Sequence, residues 1–257
     1  MRIWQLGGDE KRSDWERVLA GGGWRAGDLV KSDDRGCEVW RVELLGGATA
    51  VKVRPVPGVL DRLRFRLGKT DLSRAFLAGA LLMARGFESP GVRVLALVRV
   101  EGVWFEVLAT VWAKGEPMIR RWCDADESER NALARRAGEL VGALSARGLF
   151  NRDSKPSNVV VDGDVLSLID VGGVRIAGED RVRELARMLS AQGFEPTGVG
   201  QKPAVGQMLA CVRSACAVAG MCGFDRRVVV GRLRLLIHGH GDPVPKDSPL
   251  ARSAEMR

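Results

Sequence analysis

An aspartate, a lysine and an asparagine stand at 153, 155 and 158 in the run NRDSKPSNVVV (151–161), and Asp170 follows in Leu-Ile-Asp-Val-Gly at 168–172. One compact loop can then hold a carboxylate that receives a hydroxyl proton, an ammonium that neutralises a transferring phosphoryl and an amide that binds a metal ion. Between Asn158 and Asp170 the run VVVDGDVLSLI reads as two short strands joined by a turn at Asp162-Gly163-Asp164, which folds Asp170 back beside Asn158. The chemistry predicted is phosphoryl transfer: Asp153 and Lys155 act on the acceptor and the phosphoryl, and Asn158 and Asp170 hold the metal. Two oxygen donors completed by phosphate oxygens and water suit magnesium. Ordinary surface polarity would not place all four residues in this order.

The elements that must carry this loop fall into two groups. Residues Leu29 to Lys31, Glu38 to Leu44, Ala48 to Arg54, Val92 to Val100 and Val103 to Thr110 are β-branched or alternating, with Gly46-Gly47 as a hairpin turn. They predict a five-stranded antiparallel sheet interrupted by one helix over about Asp71 to Arg85. The chain should leave this sheet between Trp112 and Met118, where Lys114-Gly115-Glu116-Pro117 ends strand pairing. Domains of 1–115 and 116–257 follow. In the second, helical spacing predicts a helix from about Ser128 to Arg147 on Leu133, Ala137, Leu140, Val141 and Leu144, with the acidic run Asp124 to Glu129 at its positive end. Gly148 stops it just before the loop. Further helices are expected over about 178–192, burying Leu185, Met188 and Leu189, over 205–220, burying Leu209, Val212 and Cys216, and over 226–234. The tail from about Gly241 is expected to be mobile.

R-D-x-K-x-x-N followed by I-D-x-G resembles the catalytic loop and metal-binding segment of the protein-kinase-like superfamily. Ala-Val-Lys-Val at 50–53 is similar to the strand whose lysine holds nucleotide phosphates, and Lys52 lies 101 residues before Asp153. Within the superfamily the chain is most similar to the small bacterial lipopolysaccharide kinases, which phosphorylate heptose or Kdo sugars. The likeness rests on its shortness, on SRAFLAGALLMARGFESPGVRVLALV at 73–98 and on RVRELARMLSA at 181–191, and it covers roughly 28–192. It implies an α+β, bilobal protein-kinase-like fold with a nucleotide-binding sheet lobe and a mainly helical catalytic lobe. It also implies ATP and Mg2+ as cofactors, Lys52 on the nucleotide phosphates, adenine against the backbone near Val107 to Val111, and an anionic glycolipid or sugar acceptor.

The link Ser32-Asp33-Asp34-Arg35-Gly36 lies where a phosphate-covering loop belongs, and Gly36 would permit close backbone approach to phosphates; a plain hairpin turn explains it equally well. Four positions depart from the superfamily pattern. Asn151 replaces the usual histidine, Ser154 a packing leucine and Val171 a common phenylalanine, while Ala75 occupies the place of the helix glutamate that would pair with Lys52. Two rival readings follow. One is an atypical serine/threonine protein kinase, disfavoured because only 87 residues follow Asp170 and none forms an Ala-Pro-Glu run. The other is a catalytically silent nucleotide-binding scaffold.

Composition agrees with a folded protein whose partner is an anion. With 257 residues, 46% of them hydrophobic, the chain can build a sizeable core. Five cysteines without a C-x-x-C pair indicate neither a disulfide framework nor a zinc site, and His238 and His240, with only Asp242 nearby, read as surface histidines. No apolar run approaches a bilayer span and the first residues are too polar for a signal peptide, so a cytoplasmic location is expected. A formal charge of +8 favours an anionic partner. The strip Lys52, Arg54, Arg62, Arg64, Arg66, Lys69 and Arg74, with Leu63, Phe65 and Leu67 between the cations, reads as a solvated face or as a peripheral contact with the inner membrane. Nucleic acid is not expected, because no recognition motif accompanies the charge.

Overall fold

The computed structural model describes residues 2–7 and 10–237; His238, His240 and the tail from Gly241 lie outside the described residues. The chain divides into two compact units, 1–113 and 114–257.

The first unit runs β1 (Arg2–Leu6), α1 (Arg12–Leu19), a 3₁₀ segment (Ala20–Ala26), β2 (Asp28–Ser32), β3 (Glu38–Leu44), β4 (Gly47–Pro55), α2 (Val59–Arg66), α3 (Asp71–Ala84), β5 (Val92–Val100) and β6 (Val103–Val111). Its sheet has six strands in the order β1-β5-β6-β4-β3-β2, all neighbours antiparallel. The five-stranded expectation lacks β1, a five-residue edge strand whose pairing with β5 slips between Ile3 and Gln5. So irregular a strand carries no clean alternation for the sequence to show.

Side chains alternate across the sheet and make two cores. Val51, Val53, Val94, Ala96, Val98, Val107 and Ala109 point to one face, where Trp15, Leu19 and Trp24 from α1 and the 3₁₀ segment cover them. Leu95, Leu97 and Leu108 point to the other, beneath Phe65 of α2 and Leu72, Ala75 and Phe76 of α3. Three helices therefore stand where one was expected. The segment 59–66 is helical even though its letters alternate, because Phe65 anchors it in the second core. The β3–β4 turn is Leu45-Gly46, with φ 50 and 77, and pairs Leu44 with Gly47. It sits one residue earlier than Gly46-Gly47, so a leucine takes a positive φ of the kind that tight two-residue hairpins demand.

The second unit runs β7 (Glu116–Pro117), α4 (Met118–Asp124), α5 (Glu127–Ala146), β8 (Leu149–Asn151), β9 (Val159–Asp162), β10 (Val165–Leu168), β11 (Val174–Ile176), α6 (Arg181–Gly198), α7 (Val205–Val218) and α8 (Gly223–Ile237). Pro117 does not end strand pairing as expected: Glu116 and Pro117 pair with Val161 and Val160 of β9. Asp126 caps α5 by accepting the Glu129 N–H. Gly138 and Gly142, one turn apart on α5, let it lie against α7: a Cβ on either would come within 2.1 Å of Cys211 O or 2.5 Å of Ala215 O. Leu209 of α7, expected in the core, is 42% exposed, whereas Cys211, Val212, Ala215 and Cys216 are buried. Burial pushes the Cys211 thiol up to about 12, so it stays protonated and serves as a packing group. Among the described residues no helix is long and apolar enough to cross a membrane.

Candidate active site

In the second unit β8 and β11 pair antiparallel, Asn151 opposite Val174, so the chain leaves and re-enters one short two-stranded frame. Everything between belongs to the candidate site: Asp153 and Lys155, the 3₁₀ turn Pro156–Asn158, the β9–β10 hairpin, and Asp170 leading into the 3₁₀ turn Val171–Gly173. The hairpin forms as expected, Asp162 opposite Val165, with Gly163 at φ 54 in its turn. It ends with the Ile169 N–H donating to Asn158 O at 2.9 Å, which sets Asp170 beside Asn158. Asp170 itself is exposed and left-handed, φ 50 and ψ 53. Non-glycine residues in that region are strained by about 1–3 kcal/mol and cluster at functional sites.

The Asp153 backbone is held at both ends. Its N–H donates to Asn151 Oδ1 at 3.1 Å, and its carbonyl accepts the Asn158 Nδ2 at 3.0 Å. Gly173 leaves no room for a side chain beside the carboxylate: a Cβ there would stand 2.7 Å from Asp153 Oδ2 and 3.1 Å from Asn151 Oδ1. Because Asn158 commits its Nδ2 to Asp153, the side chain presents its oxygen as the group for a cation. An amide oxygen and a carboxylate form a hard donor set that fits magnesium, which keeps water and phosphate oxygens as its remaining ligands.

The departures from the superfamily pattern have a structural answer in α6. Met188, Gln192 and Glu195 share one face of that helix, and each holds one residue of the loop. The Asn151 N–H donates to Met188 Sδ at 3.3 Å. Gln192 Nε2 donates to Ser154 O at 2.9 Å and lies 3.4 Å from its Oγ, and the Ser157 N–H donates to Glu195 Oε2 at 2.6 Å. The fully buried Ser154 is thus polar because a glutamine reaches it. Asn151 tethers the loop through its amide oxygen, while its buried Nδ2 has no hydrogen-bond partner among the described residues. Lys155 Nζ lies 4.0 Å from Glu195 Oε1. The helix expected to end at Gln192 continues to Gly198 and so supplies Glu195.

In the first unit Lys52 stands half-buried on β4, opposite Val39 and Leu108. Ala75 is buried in the core under α3, and that helix is tied to the sheet in another way. Glu106, fully buried on β6 directly opposite Arg54, accepts from Arg54 Nη2 at 2.9 Å, from Thr70 Oγ1, and from Ser73 Oγ at 3.3 Å. Thr70 is the N-cap of α3, with its side chain on the Ser73 N–H. A sheet carboxylate held by the helix start thus does the tying that a helix carboxylate held by the sheet would do. Burial raises the Glu106 pKa, and the hydrogen bond from Thr70 and the charge of Arg54 oppose the rise. An acidic residue inside the apolar strand VWFEVLATV was a sequence signal for this site; nothing in the letters pointed to Glu195.

Gly36 has φ 72, as a tight turn requires. The amides around it are already occupied: Asp33 Oδ1 accepts from the Arg35 and Cys37 N–H groups at 2.9 Å each, and Asp33 O accepts from Gly36. These bonds hold the Asp33 carboxyl below its ordinary value. The loop is a carboxylate-filled turn with its amides turned inward, unlike a backbone cradle awaiting phosphate.

No protein-family profile matches the sequence, nor does any curated protein. Among solved structures, WaaP in complex with acyl carrier protein matches 91% of this chain and 97% of its own, with a TM-score of 0.59 at 17% identity. The PknI kinase domain of M. tuberculosis matches 80% of this chain and 92% of its own, with a TM-score of 0.44 at 18% identity. The first likeness is one of fold: α+β and protein-kinase-like.

Proposed function

We propose that the chain is an ATP- and magnesium-dependent phosphotransferase whose acceptor is a sugar hydroxyl of the lipopolysaccharide inner core, a heptose or Kdo. The observation that carries this reading is the closed frame between Asn151 and Val174, which gathers Asp153, Asn158 and a left-handed Asp170 in one place. Fold likeness to WaaP supports the kinase type, and the resemblance of the motifs supports the sugar acceptor.

In this reading Asp153 receives or orients the proton of the attacking hydroxyl, from a backbone held at both its N–H and its carbonyl. Lys155 neutralises charge on the phosphoryl in flight. Asn158 Oδ1 and Asp170 hold magnesium, which supplies charge neutralisation at the phosphate oxygens. Lys52 binds the nucleotide phosphates. Gly36 has no assigned part, because its neighbouring amides are spent on Asp33. The first unit is then the nucleotide-binding part and the second the catalytic part, and the setting is cytoplasmic.

The test is transfer of labelled γ-phosphate from ATP with magnesium, offered side by side to a lipopolysaccharide core extract and to a generic protein. Label in the glycolipid, abolished by Asp153→Ala, is the expected result. Label in protein would replace the acceptor with a serine or threonine. Nucleotide binding without label in either would make the chain a silent scaffold.

A further inference from the structure

α2 is built inside out for a surface helix. Phe65 is its one buried side chain, seated in the core with Leu72, Phe76 and Leu95. On the opposite side Val59, Leu60, Leu63 and Leu67 are 72%, 72%, 48% and 57% exposed. At 3.6 residues per turn Val59, Leu60 and Leu63 fall within an arc of about 100°, and Leu67, the C-cap, continues it. Arg66 borders the arc on one side and Arg64 on the other, both exposed, and exposed Lys69 follows just beyond the helix. Arg62, further round, is half-buried and lies over the Trp104 ring at 6.0 Å, which leaves it out of the exposed face. The helix's only carboxylate, Asp61, lies toward the buried side, 3.7 Å from Arg64.

An outward apolar stripe between two cationic borders is the pattern of a helix that lies in the plane of a lipid interface. The aliphatic side chains enter the acyl boundary, and the long basic ones reach back to lipid phosphates. We infer that α2 is a docking surface for an anionic lipid membrane, with Val59, Leu60, Leu63 and Leu67 inserted and Arg64, Arg66 and Lys69 on the headgroups. Two features favour lipid over a protein partner. The stripe holds flexible aliphatics and none of the aromatic anchors that concentrate energy in protein interfaces. Cations on both borders match a uniformly charged plane, and the chain's net charge of +8 adds long-range attraction to it.

The test is sedimentation of the full chain with vesicles of phosphatidylglycerol and phosphatidylethanolamine, against vesicles of phosphatidylcholine alone. No nucleotide is present, so the result does not depend on phosphoryl transfer. The full chain should pellet with the anionic vesicles and stay in solution with the zwitterionic ones. Leu60→Ser/Leu63→Ser/Leu67→Ser should lower the partition coefficient about tenfold or more with unchanged thermal unfolding, since the replaced side chains are exposed. Arg64→Gln/Arg66→Gln should weaken binding chiefly at low salt. Absence of pelleting, or a triple variant that pellets as the parent does, overturns the inference. So does retention of the full chain on an acidic protein with none on vesicles, which would make α2 a protein-docking helix.

Discussion

One carboxylate, Glu195, holds both the side chain of Lys155 and the backbone beside it. Oε1 lies 4.0 Å from Lys155 Nζ, while Oε2 accepts the Ser157 N–H at 2.6 Å. With the lysine side chain 47% and the glutamate 22% exposed, water screens the charge pair to well under about 1 kcal/mol. The backbone hydrogen bond to an ionised acceptor is the larger contribution, about 1.5–3 kcal/mol.

Glutamine at 195 keeps an acceptor for Ser157 and removes only the charge. Glu195→Gln should therefore stay within about 1 kcal/mol of the parent in urea unfolding, and Glu195→Ala should lose about 1–3 kcal/mol. In turnover, both should lower kcat more than they change the KM for ATP if, as proposed, Lys155 and the loop act on the transferring group. Equal stability of the two variants would show that the Ser157 bond is not what anchors the loop.

Glu106 makes a pH prediction with a definite sign. Its folded-state pKa lies above the ordinary 4.5, so the folded chain holds that proton more tightly than the unfolded one. The group's contribution is then most favourable in acid and is lost as pH rises through the raised value. Glu106→Gln mimics the protonated form and lacks this loss. Urea unfolding at about pH 4.5 should find parent and variant similar, and at about pH 7 the variant should have gained on the parent. Glu106→Ala should cost about 2–4 kcal/mol in acid, because Arg54, Thr70 and Ser73 lose their acceptor together, and less near pH 7, where the parent has itself lost stability.

Local chemistry in the letters marked the candidate site, and the packing that steadies its loop was not legible there. Asp153, Asn158 and Asp170 could be read because a turn and two short strands lie between them, and turn residues announce themselves at fixed spacing. Val92–Val100 and Val103–Val111 were likewise plain from their apolar runs. The face of Met188, Gln192 and Glu195 was not plain, since what a helix face touches depends on chain more than thirty residues away. Arg62 to Leu67 gave no helix signal for the opposite reason: its letters alternate, and Phe65 finds a core only when the segment is helical. The layer of Trp15, Leu19 and Trp24 was hidden by its surroundings, a short polar helix followed by Gly21-Gly22-Gly23.

Variants of Asp170 separate its left-handed backbone from the metal role proposed for it. Asparagine shares aspartate's tolerance of the left-handed region, whereas alanine is strained there. Asp170→Asn should match the parent in thermal unfolding, and Asp170→Ala should fall about 1 kcal/mol below it. Both should lose the magnesium-dependent part of ATP binding in calorimetry run with and without the ion. Magnesium-dependent binding that survives in both variants would remove Asp170 from the metal site.

Gly173 offers the sharpest test of whether Asp153 must sit where it does. A methyl group there would meet Asp153 Oδ2 at 2.7 Å, Asn151 Oδ1 at 3.1 Å and Asp153 N at 3.2 Å. The first contact can be relieved by turning the exposed carboxylate aside, at small cost to the fold. The other two press on the bond by which Asn151 holds the Asp153 backbone, and the Arg152 N–H to Gly173 O bond at 3.2 Å spans the same place. Gly173→Ala should therefore leave stability within about 1–2 kcal/mol of the parent. Its kcat should nevertheless fall about a hundredfold, because a displacement near 1 Å of a catalytic group is enough for that loss. In the proposed reading ATP affinity should fall far less than kcat, since Lys52 on β4 is untouched. A variant with normal kcat would mean that Asp153 works from a displaced position, and the close approach of Gly173 would then be a matter of packing alone.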